Sequence, residues 1–190
     1  MLLNKFNNLG WKDYLKFPIR FFGLYLPLEI IYYIVISASH PGGKLYSPFV
    51  TQYLNIMNGI RNILIGISQQ VLSVFNYSTT RYAEHGLMIN TGGKVSVNNA
   101  CLGYSIMAFW LAFIFANDGT WKMKAKWILT GLLAITIINV GRIVFLLIAL
   151  NKKWSLFYSI DHHSAFNIVA YLFIFGLMYV FIRSRREEAI

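Results

Sequence analysis

The sequence predicts an all-α integral membrane protein, a single helical bundle with about four transmembrane helices. Composition, the length of the apolar runs and the placement of basic residues lead to this prediction. Hydrophobic residues make up 57% of the 190 residues and charged residues 13%, against about 45–50% and about 25% in soluble domains. A soluble fold of this length could not bury so much apolar surface, so lipid is the expected solvent. The length itself is that of one domain.

Four apolar runs are candidates for membrane crossing, which takes about 20 largely apolar residues in a helix. They cover residues 20–38, 102–117, 127–150 and 165–182. The second and fourth are short and are expected to recruit flanking residues. The N-terminal residues lack the small-residue cleavage site of a signal peptide, so the first run is predicted to be a retained anchor.

Three clusters of basic residues predict the orientation of these helices. They precede the first run, separate the second from the third, and follow the last: Lys5, Lys12, Lys16 and Arg20; Lys122, Lys124 and Lys126; Arg183, Arg185 and Arg186. With four crossings all three clusters and both termini lie in the cytoplasm, leaving six Lys/Arg in the outer segments against ten inside. The net charge of +10 is then a consequence of topology, and nucleic acid is not a predicted partner.

The stretch 51–75 is apolar with one polar face, and it predicts an amphipathic helix at the outer surface or against the bundle. The polar residues recur at helical spacing: Thr51, Asn55, Asn58, Asn62, Gln69 and Ser73, with Arg61 beside them. A fifth crossing by this helix remains an alternative. The outer segment 76–100 predicts a small hairpin, with strands at Gly86–Asn90 and Lys94–Asn98 joined by Thr91-Gly92-Gly93.

The predicted topology brings chemically capable side chains from three distant stretches to the outer side. Cys101 stands at the outer start of the second span, and His162 and His163 at the start of the fourth. Arg142 lies in the outer half of the third span, with Asn139 one turn earlier. A charge within a membrane helix is costly and usually functional, although a snorkelling arginine or an ion pair with Glu29 would also account for Arg142.

Cys101 is the single cysteine, which excludes an intrachain disulfide and a CxxC motif. A lone cysteine is often an apolar filler. Here a helix N-terminus and an approaching Arg142 would both favour the thiolate, the nucleophilic form. Asp161 could orient one of the two histidines as an acid/base or simply cap the last helix. No cofactor or bound metal is predicted.

The ordered set Asn99-Ala100-Cys101-Leu102-Gly103, Asn139-Val140-Gly141-Arg142 and His162-His163 resembles the exosortase/archaeosortase family of membrane-embedded cysteine transpeptidases and proteases. That family has a cysteine beginning a helix, an arginine in an N-x-x-R setting and a histidine near the last helix. The resemblance covers residues 99–182. Leu102 departs from it, because a small or polar residue often follows the cysteine, and the doubled histidine leaves the base ambiguous.

The resemblance implies an enzyme of the prokaryotic cytoplasmic membrane with its active site on the outer face. Its substrates would be secreted proteins with a C-terminal sorting tag, a short motif followed by a membrane helix and a basic tail. Cys101 would form a thioester at the motif, and His162 or His163 would serve as acid/base. Arg142 would stabilise the oxyanion or hold the thiolate, and the acyl group would pass to an acceptor or to water.

Two other functions fit parts of the sequence. A metal-dependent membrane hydrolase could use Glu84, His85, Asp161 and His162 or His163 as ligands, although no HExxH-type spacing is present. The protein could also be a non-enzymatic subunit or assembly factor of a membrane complex, in which Cys101 would only fill space in the core. The roles of Glu84 and His85, the substrate, the acceptor and the oligomeric state stay open.

Overall fold

The computed structural model of the chain describes the backbone of residues 11–154 and 162–187, and the side chains of 14–99, 101–154 and 168–185. Six α-helices and one sheet occupy the described residues. In chain order the elements are α1 (Trp11–Ser39), α2 (Pro48–Tyr53), α3 (Ile56–Val74), β1 (Thr79–Tyr82), β2 (Gly86–Ile89), β3 (Gly92–Ser96), a 3-10 turn (Asn99–Cys101), α4 (Tyr104–Ala116), α5 (Trp121–Asn151) and α6 (His162–Glu187).

Three helices in the described part of the chain are long and apolar enough to cross a membrane, which indicates a membrane-embedded protein. The qualifying stretches are Tyr14–Ser39, Trp121–Asn151 and Ile168–Arg185. They coincide with the first, third and fourth predicted spans, and the helices continue through the polar flanks of each apolar run. The second predicted span, 102–117, forms only the 13-residue α4, about 20 Å long and shorter than a hydrocarbon core of about 30 Å.

Helix α4 packs against α1 and α5 through aromatic and small residues. Trp110 is fully buried in this layer, and its indole nitrogen donates a hydrogen bond of 3.0 Å to the carbonyl of Trp127. Gly131 of α5 leaves the space that the Trp110 ring occupies. Phe181 of α6 packs edge-on against the Trp110 and Trp127 rings, so α6 joins the same cluster.

One end of the bundle gathers polar contacts around the link after α4, and we call it the Asp118 end. Arg20 of α1 donates to Asp118 at 2.6 Å, and Arg185 of α6 donates to Asn117 at 2.8 Å. Chain segments from all three predicted basic clusters therefore approach this end, because Lys124 of α5 also donates to the carbonyl of Phe115 at 3.2 Å.

The opposite end carries an antiparallel sheet of order β1-β2-β3, and we call it the sheet end. Strands β2 and β3 form the predicted hairpin, but its turn is Asn90 and Thr91. Gly92 and Gly93, which were expected in the link, begin β3 at positive φ. Strand β1 was not predicted, so the expected two-stranded hairpin is a three-stranded sheet. Asn151, the last residue of α5, donates to the carbonyl of Gly92 at 2.8 Å and fixes the turn to the bundle.

The predicted amphipathic helix 51–75 is divided into α2 and α3 at Leu54 and Asn55. Asn55 caps α3 by accepting a hydrogen bond of 3.2 Å from the backbone N–H of Asn58, a favoured role for asparagine. One face of α3 is buried against α5 and the sheet: Met57, Arg61, Leu64, Ile65, Ser68 and Leu72. The helix therefore packs against the bundle, one of the two positions expected for it.

Candidate functional site

Cys101 lies in a buried turn between the sheet and α4. It ends the 3-10 turn Asn99–Cys101, and Gly103, at φ +69°, separates that turn from the first residue of α4. Cys101 therefore precedes the helix and does not begin it, because the left-handed glycine redirects the chain first. The thiol is 4% exposed and belongs to a core formed with α3, the sheet and α5.

Helix α5 holds this turn through Asn139. Its side-chain amide donates a hydrogen bond of 3.2 Å to the carbonyl of Leu102, the residue after Cys101. Asn139 is 6% exposed. Arg142 lies three residues further along the same helix and is 7% exposed. The structure thus brings the Asn139–Arg142 segment of α5 to the Cys101 turn.

A second buried arginine, Arg61 of α3, fastens the chain on the other side of Cys101. Its Nε donates to the carbonyl of Val97 at 2.9 Å, and Nη2 donates to Oδ1 of Asn99 at 2.5 Å. Nη1 donates to Oδ1 of Asn58 on the same helix. With 4% exposure, Arg61 joins α3 to the end of β3 and to the turn that contains Cys101.

His85, in the turn between β1 and β2, completes this network. Its ring nitrogens lie 3.2 and 3.4 Å from Nη1 of Arg61. Because a guanidinium has only donors, the nitrogen that pairs with it must be unprotonated. A carboxylate oxygen of Glu84, whose side chain is 89% exposed, lies 3.7 Å from Nε2 of His85.

Arg61 was named in the sequence analysis only as a neighbour of the polar stripe, and its role was missed. The spacing of the apolar residues nevertheless indicates that Arg61 is buried. The positions Met57, Arg61, Leu64, Ser68 and Leu72 recur every three or four residues, which places Arg61 on the apolar, buried face of the helix. An arginine on that face requires buried hydrogen-bond acceptors.

The surroundings of Arg61 act on its charge in opposite directions. Burial lowers the pKa of the guanidinium, while the negative charges of Glu84 and of an ionised Cys101 oppose that shift.

The remaining predicted site residues lie largely outside the described residues. The backbone places His162 and His163 in the first turn of α6, but their side chains are beyond the described set. Asp161 falls outside the described backbone. The predicted acid/base therefore stays a prediction.

Within the described residues no three His, Cys, Asp or Glu side chains are grouped to hold a metal ion. Of the ligands that the metal-hydrolase interpretation names, Glu84 and His85 are described, with 3.7 Å between a carboxylate oxygen and Nε2. The other ligands of that interpretation, Asp161, His162 and His163, lie outside the described side chains.

No protein-family model matches the chain, and no curated protein or solved structure is significantly similar to it.

Proposed function

We propose that the protein is a membrane-embedded cysteine peptidase or transpeptidase with its reaction centre at the sheet end. The observation that carries the proposal is the hydrogen bond from Asn139 to the carbonyl of Leu102. It joins two of the three sequence segments that resemble the exosortase/archaeosortase family, across 37 positions. The only cysteine of the chain and a buried arginine are thereby held in one region.

The proposed topology has four crossings, with α4 as the short one and the Asp118 end in the cytoplasm. Arg20, Lys124 and Arg185 gather at that end, as expected for the cytoplasmic side of a membrane protein. The turns on either side of α4 would complete its crossing. The sheet end, with Cys101, then faces the outside of a prokaryotic cytoplasmic membrane.

In the proposed reaction the Cys101 thiolate attacks the carbonyl of a peptide bond near the C-terminal tag of a secreted protein. The carbonyl carbon forms a thioester with sulfur as the C–N bond breaks, and His162 or His163 gives a proton to the leaving amine. An acceptor amine or water then gives a proton to the same histidine and attacks the thioester, and sulfur leaves as the thiolate. Arg142 would stabilise the oxyanion in both steps.

Asn139 and Arg61 are positioning residues in this proposal. Asn139 fixes the chain after Cys101 through Leu102, and Arg61 fixes the chain before it through Val97 and Asn99. Two such supports keep the nucleophile in place, since a small displacement of a reacting group costs much rate.

The first test compares a strain carrying Cys101→Ala with the parent strain. We expect exported proteins with uncleaved C-terminal tags to accumulate in the variant, detected by intact mass or C-terminal peptide analysis. Unchanged C-termini across the exported proteins would remove the peptidase proposal and favour a non-enzymatic subunit. Processing that persists in Cys101→Ala but stops with a chelator would favour the metal-dependent hydrolase.

A second test measures the rate at which Cys101 of the purified protein reacts with a small methanethiosulfonate reagent at neutral pH. We expect Arg61→Gln to change the rate severalfold, because the chain before Cys101 then loses the hydrogen bonds from Arg61 to Val97 and Asn99, and Arg61→Lys to restore part of the parent rate. Arg81→Gln is the matched control, because Arg81 is exposed and bonds Asn62 and Gln69 instead of the segment before Cys101. Equal rates in all four proteins would contradict a role for Arg61 in positioning the thiol.

A further inference from the structure

A large cavity opens beside Arg61 at the sheet end and is not used by the proposed reaction. Its volume is about 900 Å³. The last turn of α1, the segment 40–47, α2, the start of α3, the turn between β1 and β2, and Asn99 of the 3-10 turn form its walls. Cys101 and Arg142 are not among its lining residues.

The cavity attracts negative charge. The ionised residues that line it are Lys44, Arg61 and Glu84, so positive charge exceeds negative by one even with His40 and His85 neutral. Glu84 points outward, with its side chain 89% exposed. The positive groups therefore dominate the interior of the cavity.

The Arg61 guanidinium makes no hydrogen bond to an anionic group within the described residues. Its acceptors there are two amide oxygens, one backbone carbonyl and a histidine nitrogen, all of them neutral. The carboxylates of Asp118 and Glu84 lie against other residues, Arg20 and the ring of His85. A buried cation held only by neutral groups is unfavourable, so an anion that enters the cavity would be stabilised.

A buried hydroxyl also lacks a partner at the wall of the cavity. Oγ of Ser39, the last residue of α1, is buried and makes no hydrogen bond within the described part of the chain. Buried polar atoms are normally hydrogen-bonded, to protein or to a bound molecule. Ser39 is thus available as a donor to an anion in the cavity.

The length of α1 gives the depth at which the cavity would lie in a bilayer. The 29 residues of α1 extend about 43 Å at 1.5 Å per residue. A bilayer with its headgroups is about 40–45 Å thick, so a helix that crosses it brings Ser39 to the level of the headgroups. The plane of lipid phosphates lies at that depth.

The chain beside the cavity carries apolar and aromatic side chains that face outward. Tyr46, Phe49 and Tyr53 are 42%, 61% and 67% exposed, and Leu45 and Leu54 are exposed next to them. Aromatic residues concentrate at the membrane–water interface. Acyl chains would cover this surface while a headgroup occupied the polar cavity.

We propose that this cavity binds the phosphodiester group of a membrane phospholipid, with Lys44, Arg61 and Ser39 as its ligands. The lipid would complete the charge balance around Arg61 and hold α2 against the end of α1. This inference does not depend on peptidase activity, since it rests on the cavity, its charges and its depth alone.

The experiment uses the full-length Cys101→Ser protein in a neutral detergent, so that peptidase turnover cannot influence the result. Phosphatidylglycerol is titrated and the bound fraction is measured by native mass spectrometry. We expect one tightly bound lipid, and at least about tenfold weaker binding in Lys44→Gln and in Arg61→Gln, because each loses a charged hydrogen bond to phosphate. Arg81→Gln removes the same charge from the same end of the molecule outside the cavity and should bind as the parent does.

Three results would overturn the proposal. Equal binding by all variants would show that the lipid does not use this cavity. Stabilisation by inorganic phosphate that is as strong as that by phosphatidylglycerol would assign the site to a soluble anion. An acidic peptide that displaces the lipid and binds more tightly would assign it to a peptide ligand. Lys44→Gln keeps the test valid if Arg61→Gln fails to fold, because Lys44 is exposed and makes no described hydrogen bond.

Discussion

Replacing Gly103 by alanine should disrupt the site that holds Cys101, through two separate physical effects. Gly103 has φ +69°, where a side chain costs about 1–2 kcal/mol. An added Cβ would also lie less than 3.0 Å from Nδ2 of Asn139, and forcing extra volume into such a site costs about 1–3 kcal/mol. We therefore expect Gly103→Ala to lower the free energy of unfolding by about 2–5 kcal/mol.

The second effect can be isolated with a double-mutant cycle. Asn139→Ala removes the group that the new Cβ would meet, but it leaves the buried carbonyl of Leu102 without this donor, which costs about 1–3 kcal/mol. In the double variant the steric cost is absent. Its loss of stability should therefore be smaller than the sum of the single losses, by about 1–3 kcal/mol.

The assay is unfolding of the purified protein in mixed micelles, followed by tryptophan fluorescence, with thiol labelling of Cys101 in the folded state as a second readout. Labelling should change in Gly103→Ala, because Gly103 is two residues from the thiol. Single losses that add to within about 0.5 kcal/mol would contradict a clash between the new Cβ and Asn139. A Gly103→Ala variant that is neutral in both readouts would contradict both physical effects.

Two further predictions concern the packing and charges of the bundle. Gly131→Ala should destabilise the protein by about 1–3 kcal/mol, because the new Cβ would overlap the Trp110 ring; Gly141→Ala on the same helix meets nothing within 4 Å and should be neutral or stabilising in the same unfolding assay. The hydrogen bond from Arg20 lowers the pKa of Asp118, so the stability from this pair is present above the unfolded value of about 3.9 and is lost as pH falls through the folded pKa. Below pH 5 the free energy of unfolding should therefore fall with pH more steeply in the parent than in Asp118→Asn. Identical pH dependence in the two proteins would contradict this prediction.

Hydropathy alone located the three long helices, because burial in lipid requires continuous apolar sequence over the whole crossing. Hydropathy overestimated the length of the helix at 102–117, because Gly103 at positive φ prevents the helix from extending back to the cysteine. The apolar residues there are buried by α1, α5 and α6, so their hydrophobicity reflects packing within the protein as well as contact with lipid. Trp110, Phe113 and Ile114 are all at most 4% exposed.

The sheet was predicted only where the sequence has both alternation and a glycine turn. Strand β1 has the sequence Thr-Thr-Arg-Tyr, which is too polar for a hydrophobic pattern to reveal. Its place is fixed by pairing with β2 and by Arg81, which donates to Gln69 and Asn62 of α3 at 3.1 Å each. Those two amides belong to the polar stripe, so the stripe indicated a polar partner that local sequence could not identify.

In the site, as in the sheet, local sequence identifies some residues, and others are identified only by their long-range contacts. Cys101 and Arg142 were identifiable because each is chemically unusual in its position. Arg61 and His85 reach each other and the segment before Cys101 through contacts across 24 to 38 positions, so their function depends on the packing of α3 against the sheet. Because Arg61 both supports the chain before Cys101 and lines the cavity, a bound phosphate would compete with Val97 and Asn99 for the same guanidinium donors. Thiol reactivity should then change when phospholipid is bound, which would couple the membrane environment to the proposed chemistry.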